Sequence, residues 1–302
     1  MLINYYFCTI TVKTRNKMKR FLFFATIACI ACTACTTTQP KDILPNMTVG
    51  TSVKEGKQSQ TSKEALKAVE QFVKTSSKTK DVVWEEKLID VIKNNPGTLS
   101  CSEKKMEQLL GKNFSVKSSD DGNLRIYSWA TDRGGSNVLF CQFIQYRTKG
   151  GKVLVEFAPE SLDKGTEDSN QNPDSKMWES GNMVMGIYSL DAPGKKVYLV
   201  KSYNIYSHGM GYQYVDAMLI EGDNLKEAPI FVSEGKKQSC YQVECYGELI
   251  DDDGVIKYDS QNKILHCYYV WDESKSHYII SYPIEDVDVK LKFDGKLFNE
   301  VK

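Results

Sequence analysis

From Gly111 onward the chain repeats one pattern: short runs that alternate apolar and polar residues, rich in Val, Ile, Tyr and Phe, each closed by Gly, Asn, Asp or Pro. The runs are "NLRIYSWA", "NVLFCQFIQYR", "KVLVEFA", "NMVMGIYSL", "KVYLVKSYNIY", "YQYVDAMLI", "APIFVSE", "CYQVECYGELI", "KILHCYYVW", "HYIISYPI" and "VDVKLKF". Successive side chains of a strand point to opposite faces, so a period of two marks strands that turn one face to a core. β-branched and aromatic residues fit that pleated, half-buried surface. So many short strands at such close spacing predict an antiparallel β domain, either a sandwich or propeller-like blades.

Three stretches ahead of the strands carry the helical period instead. "TSKEALKAVEQFVK" sets Thr61 and Glu64 at capping-box spacing, with Ala65, Leu66, Ala68, Val69, Phe72 and Val73 on one side. Asp81 opens a second helix, with Trp84, Leu88, Val91 and Ile92 facing one way and Asn95-Pro96-Gly97 as its stop. In "SCSEKKMEQLLG", Ser100 and Glu103 repeat the capping-box spacing and Gly111 ends the helix. The expected class is mainly β (α+β), short N-terminal helices followed by an antiparallel multi-strand domain.

The N-terminal region reads as an address. "MKRFLFFATIACIACTAC" sets Lys19 and Arg20 before an apolar run, Phe21 to Ala31, that is too short to cross a bilayer comfortably, which is the layout of a secretory signal. Residues 1–17 are then an upstream extension and 18–34 the signal peptide. Ala34 precedes Cys35, and a polar "TTTQPKD" follows, so Cys35 stands where a lipoprotein is acylated; a plainly cleaved signal is the alternative. Residues 35–60, nearly free of large apolar side chains, are expected to form a flexible tether. Helices plus the first hairpins follow over 61–158, a long loop over 159–182 and a β-rich half over 183–302, the two halves forming separate domains or one. The expected location is outside the cytoplasm: an outer-membrane or periplasm-facing lipoprotein of a Gram-negative bacterium, held to the membrane by its lipid.

Charge and motifs remove several function classes. Lys and Arg number 39 and so do Asp and Glu, with no basic block, which argues against a nucleic-acid partner. A phosphate-cradling glycine loop and a dinucleotide fingerprint are both missing, which argues against nucleotides. Five cysteines follow Cys35: Cys101, Cys141, Cys240, Cys245 and Cys267. Cys240 and Cys245 in "CYQVEC" could form a disulfide if a turn or bulge brought their Cα atoms within about 7 Å; otherwise they are buried thiols.

Candidate chemistry is sparse. "DDDG" offers Asp251, Asp252 and Asp253 as a weak calcium site or a solvated acidic turn, and no other cofactor is expected. His208 stands beside glycines in "YSHGMGY", the best address for a catalytic base. A glycosidase-like hydrolase would need two carboxyl groups roughly 5–10 Å apart, with Asp120 and Asp253 as candidates. Aromatic rings are plentiful: the segment "KSYNIYSHGMGYQY" holds Tyr203, Tyr206, Tyr212 and Tyr214, and Trp178 lies in the long loop. Such rings stack on sugars or anchor interfaces, although alternating Tyr also serves cross-strand pairing.

Two resemblances follow. Ser118-x-Asp120-x-Gly122 resembles the Asp-box of sialidase-type propeller hairpins, which implies that Ser and Asp bond turn amides and that the glycine is left-handed, with no chemistry attached. The match is partial, because Arg125 stands where the box ends in an aromatic residue. "DGNLRIYSWATDRGGSNVLFCQFIQYR" and "KVYLVKSYNIYSHGMGYQYVDAMLI" resemble exported lipoproteins of Bacteroidetes, a likeness that implies address and fold and leaves activity open. The expected function is that of an envelope protein binding a glycan, peptide or protein without catalysis. An envelope hydrolase using turn carboxylates and a structural role in envelope assembly are the alternatives.

Overall fold

The computed structural model describes residues 61–76, 81–131, 138–157, 181–207, 210–233, 235–246, 250–268, 271–272, 277–278 and 288–301. The chain divides into two units, Met1–Val53 and Lys54–Lys302, and every described residue lies in the second. The signal, Cys35 and the tether therefore fall outside the described residues. No helix among the described residues is long and apolar enough to cross a membrane.

Helix α1 (Ser62–Thr75) begins on the expected capping box: the Glu64 amide donates to Thr61 Oγ1 at 3.3 Å, and the Thr61 amide donates to Glu64 Oε2 at 2.9 Å. Helix α2 (Val82–Asn94) is capped by Asp81, whose Oδ1 accepts from the Trp84 amide at 2.9 Å. The third start differs from expectation. Ser100 closes a 3₁₀ turn, Pro96–Ser100, and Ser102 is the N-cap of α3 (Glu103–Leu110) with no side-chain bond. Glu103 instead accepts from the Ser118 amide at 2.6 Å. Arg125, only 2% exposed, donates through its guanidinium to the carbonyls of Thr98 and Cys101 and fixes that turn in place.

The strands form three main sheets. The first is an antiparallel meander of β1 (Phe114–Ser118), β2 (Leu124–Thr131), β3 (Leu139–Arg147) and β4 (Val153–Glu156). The second takes β5 (Met183–Ala192), β6 (Lys195–Ser207) and β7 (Met210–Glu221). Along the far edge of β7 lie first β11 (Cys240–Tyr246) and then β8 (Asn224–Glu227). The third runs in the order β10 (Lys236–Gln238), β9 (Phe231–Ser233), β17 (Phe298–Val301), β16 (Asp288–Phe293), β13 (Ile264–Tyr268), β12 (Ile256–Asp259). A two-stranded ribbon joins β14 (Trp271–Asp272) to β15 (His277–Tyr278).

The layers follow from strand alternation. In β2, Tyr127 and Trp129 pack among helix residues such as Leu88, Ile92 and Met106, whereas Leu124 and Ile126 meet Ile187, Val200 and Met218 of the second sheet. The opposite face of the second sheet carries Val197, Leu199, Val215 and Val243 onto Leu265, Leu291 and Phe298 of the third. Helices and three sheets thus stack face to face, a sandwich-type plan and not radial blades, with each interior side chain of this kind worth about 1.5–3 kcal/mol in burial. Residues on both sides of the long loop share one apolar layer. The loop's neighbours also join the first and second sheets by hydrogen bonds: Ser115 Oγ donates to Val184 O at 2.6 Å, and the Val184 amide donates to Ser128 Oγ at 2.9 Å.

Candidate functional site

The central sheet has two different faces. On β7, Gly211, Gln213, Val215 and Ala217 point to the third sheet, so Tyr212, Tyr214, Asp216 and Met218 point the other way. Pairing with β6 and β11 sets this second group in three cross-strand rows: Val200, Asp216, Cys240; Ser202, Tyr214, Gln242; Asn204, Tyr212, Glu244. Val200 and Met218 belong to the core beneath the first sheet, and beyond them the face turns polar and aromatic.

Within the rows, the Tyr212 and Tyr214 rings lie 5.9 Å apart and are inclined by 50°. Asn204 Nδ2 donates to Asn182 Oδ1 at 3.0 Å, and the Asn182 amide donates to Gln142 Oε1 at 3.2 Å, tying the patch to β3. Ser202 is 1% exposed, and its hydroxyl has no hydrogen-bond partner among the described residues. Asp216 is buried, and burial pushes its carboxyl up to about 6; the negative charge of Glu227 adds to the rise, and a hydrogen bond from the Cys240 thiol opposes it. Burial and the Asp216 charge push the Cys240 thiol well above its usual range, so it is no nucleophile at neutral pH.

The opposite face holds the acidic turn. Lys201, 1% exposed, donates through Nζ to Asp253 O at 2.8 Å and to Asp253 Oδ1 at 2.7 Å. Burial lowers the Lys201 pKa and the Asp253 carboxylate opposes that fall. Gln213 Nε2 donates to Ile250 O at 3.1 Å and Asp252 O at 2.6 Å, and Asp252 Oδ1 accepts from the Gly254 amide at 2.6 Å. Gly211 is required here, since a Cβ would stand 2.9 Å from Ile250 Cγ2 and collide with Asn204 O. The turn is built from inside by a lysine and a glutamine. Among the described residues, no three His, Cys, Asp or Glu side chains gather as a metal site.

The sequence-nominated residues separate. Tyr212 and Tyr214 come together; Tyr203 packs with the third-sheet core and edge-on against Phe140 at 5.6 Å. Tyr206 belongs to β6, but its side chain, like His208 and Trp178, lies outside the described residues. Asp120 is exposed on the β1–β2 turn, and the turn-shaping pair is Ser119 with Asp121, one residue later than the box spacing suggested. Ser119 Oγ donates to Asp121 Oδ1 at 2.7 Å, the Asn123 amide donates to Asp121 Oδ1 at 3.1 Å, and Gly122 has φ +66°. Ser118 is instead the acceptor of Arg125 Nε at 2.9 Å.

Asp253 and Asp120 both raise the Tyr188 pKa by their charge, after burial. The Cys240–Cys245 disulfide is corrected: both are free thiols on one continuous strand, paired across to Asp216 and Gly211, and an extended backbone holds them too far apart to bond. Two clefts, of about 310 Å³ beside Ile89, Lys93 and Phe157 and about 370 Å³ beside Lys104, Gln108 and Phe114, include none of the nominated residues. Sequence reasoning passed over Lys201, Ser202, Gln213 and Asp216; the available signal was a polar residue inside an apolar strand run, as in "YVDAMLI". Comparison with protein-family models, with curated proteins and with solved structures found no match.

Proposed function

We propose that the chain is an exported, lipid-anchored envelope protein that binds its ligand without catalysis, through the polar and aromatic rows of β6, β7 and β11. One observation carries this reading: the face that is plain core beneath the first sheet changes, within the same strands, to Tyr212, Tyr214, Asn204, Gln242 and Glu244. Paired tilted rings supply stacking area, and amide and carboxylate groups beside them fix a ligand's orientation. Export and anchoring come from the signal-like segment and Cys35.

The test is binding of the full chain to an array of envelope glycans, peptides and envelope proteins. At least one class should be retained, and Tyr214→Ala should weaken that binding about tenfold, the range of a lost aromatic contact of about 1.4 kcal/mol. Retention unchanged in both Tyr212→Ala and Tyr214→Ala would sink the proposal. A hydrolase draws on one observation, the two carboxylates of Asp120 and Asp253 acting on Tyr188. The Lys201 ammonium holds Asp253 in a structural bond, which leaves binding as the better-supported function.

A further inference from the structure

We infer that Asp216 is a proton-operated clasp at the neck of the β9–β10 hairpin, closed while the carboxyl holds its proton and loosened when it ionises. The inference does not depend on what the face binds. The path of the chain creates the neck. β11 and β8 share the far edge of β7, with Cys240 opposite Asp216 and Glu227 opposite Met218. Between them the chain leaves the second sheet after β8, forms the β9–β10 hairpin in the third, and returns as β11. Ala217 holds both ends of that excursion: its amide donates to Ser239 O at 2.7 Å, and its carbonyl accepts from the Ala228 amide at 2.8 Å. Ser239 Oγ also donates to Glu227 Oε2 at 3.0 Å, a second bond across the neck.

Asp216 precedes Ala217 and is buried at that point, and the groups that act on it include no Lys or Arg among the described residues. From β11 the Cys240 thiol donates to its carboxylate, and from β8 the charge of Glu227 opposes its ionisation. β6 sets apolar Val200 in the same row. On β7 itself the Tyr214 phenol is pushed up by burial and then by its neighbours, Asp216 among them. A carboxyl buried without a cation favours its neutral form. Neutral, it packs between Val200 and Cys240 with no charge to hydrate. Ionised, it gains water by parting β11 from β8 at Ala217, where one residue carries the backbone bonds to both ends. The hairpin has a separate anchor, since Phe231 stacks on Phe298 at 5.3 Å within the core between the sheets. The neck therefore opens locally while the sheets stay packed.

Cys240, a free thiol inside the clasp, reports its opening. The experiment labels the full chain with N-ethylmaleimide and reads each cysteine by peptide mass spectrometry. The Cys240 rate is divided by that of a free peptide of residues 236–244, which removes the reagent's own dependence on thiolate. In the wild type this corrected rate should rise about tenfold or more between about pH 4.5 and 7.5. At the upper pH, Asp216→Asn should lower it about tenfold or more. Cys141, buried beneath the helices, should stay unlabelled in both over the same interval. A flat corrected profile in the wild type overturns the inference whatever the variant does. Faster Cys240 labelling in Asp216→Asn also overturns it, because that is the outcome if the Asp216 charge only adds to the burial that keeps the thiol protonated. So does labelling of Cys141 in step with Cys240, since the pH effect then belongs to unfolding of the whole and not to the neck.

Discussion

The two faces of the central sheet bury opposite charges at similar depth and resolve them differently. On one, Lys201 is 1% exposed and meets a carboxylate and a carbonyl of the turn it holds. On the other, Asp216 is 5% exposed, receives a thiol hydrogen bond, and has a second acid, Glu227, for a neighbour. A buried charge bonded to a carboxylate ties its turn in place, whereas a buried carboxylate beside a second acid costs the fold stability once it ionises. The difference marks the first face as a structural tie and leaves the second as the one to which binding is proposed.

Three substitutions can break or sharpen that contrast. The largest effect is expected from Asp253→Ala, which takes the carboxylate from the buried Lys201 ammonium but leaves it the residue-253 carbonyl: because the Asp253 side chain is 82% exposed, unfolding in urea should show a loss of about 2–3 kcal/mol, while Lys201→Met should cost markedly less. Equal losses in the two variants would mean that the pair is no such tie. Next, Asp216→Asn should stabilise the protein at neutral pH by about 2 kcal/mol, because it removes a charge that burial disfavours. The sign is set by a carboxyl raised from 3.8 to about 6 in the fold. The folded state holds its proton where the unfolded chain has lost it, so wild-type stability should fall as pH rises from about 4 to 6, and the Asn variant should be flat over that window. A wild-type profile without that fall would return Asp216 to ordinary core.

The smallest effect belongs to Asp121, which marks the tie between the first and second sheets. Tyr198 OH donates to Asp121 Oδ2 at 3.1 Å, and Lys196 Nζ lies 3.2 Å from the same oxygen. Burial pushes this carboxyl up, but hydrogen bonds from Ser119 and Asn123 and the Lys196 ammonium outweigh it and bring it down to about 2. Its stabilisation is therefore present above about pH 4 and lost as pH falls toward 2. Asp121→Asn should cost about 1 kcal/mol at neutral pH and remove that acid-side loss, as read from thermal melts between those limits.

The strand runs were legible because both signals, alternation and turn residues, are local. "NLRIYSWA" and "NVLFCQFIQYR" became β2 and β3, and the boxes at Thr61 and the cap at Asp81 formed as spaced. The Ser100 box failed for a non-local reason, since the Ser118 amide of β1 takes the Glu103 carboxylate and Ser100 is drawn into the preceding 3₁₀ turn. Strands with little apolar content, such as β8 and β10, gave no periodic signal and exist through their neighbours. The site was legible in part. The tyrosine-rich segment pointed to β6 and β7, but which tyrosines share a face depends on strand phase, and phase separated Tyr203 from Tyr212 and Tyr214. Asp216 and Ser202 acquire their importance from burial alone, which a single sequence does not display.

The third sheet is closed by a strand from the far end of the chain. β17 lies between β16, its hairpin partner, and β9, which it meets in parallel through Phe298 and Phe231 some 67 positions earlier. Those two rings stack 5.3 Å apart within the core between the sheets. During synthesis, then, β9 and β10 wait with an unfilled edge until β17 has emerged. Pairings so distant close slowly, because chain entropy is spent before contacts repay it. The order of the strands thus delays completion of this sheet until β17 has been made, so its two halves cannot close one after the other as the chain emerges.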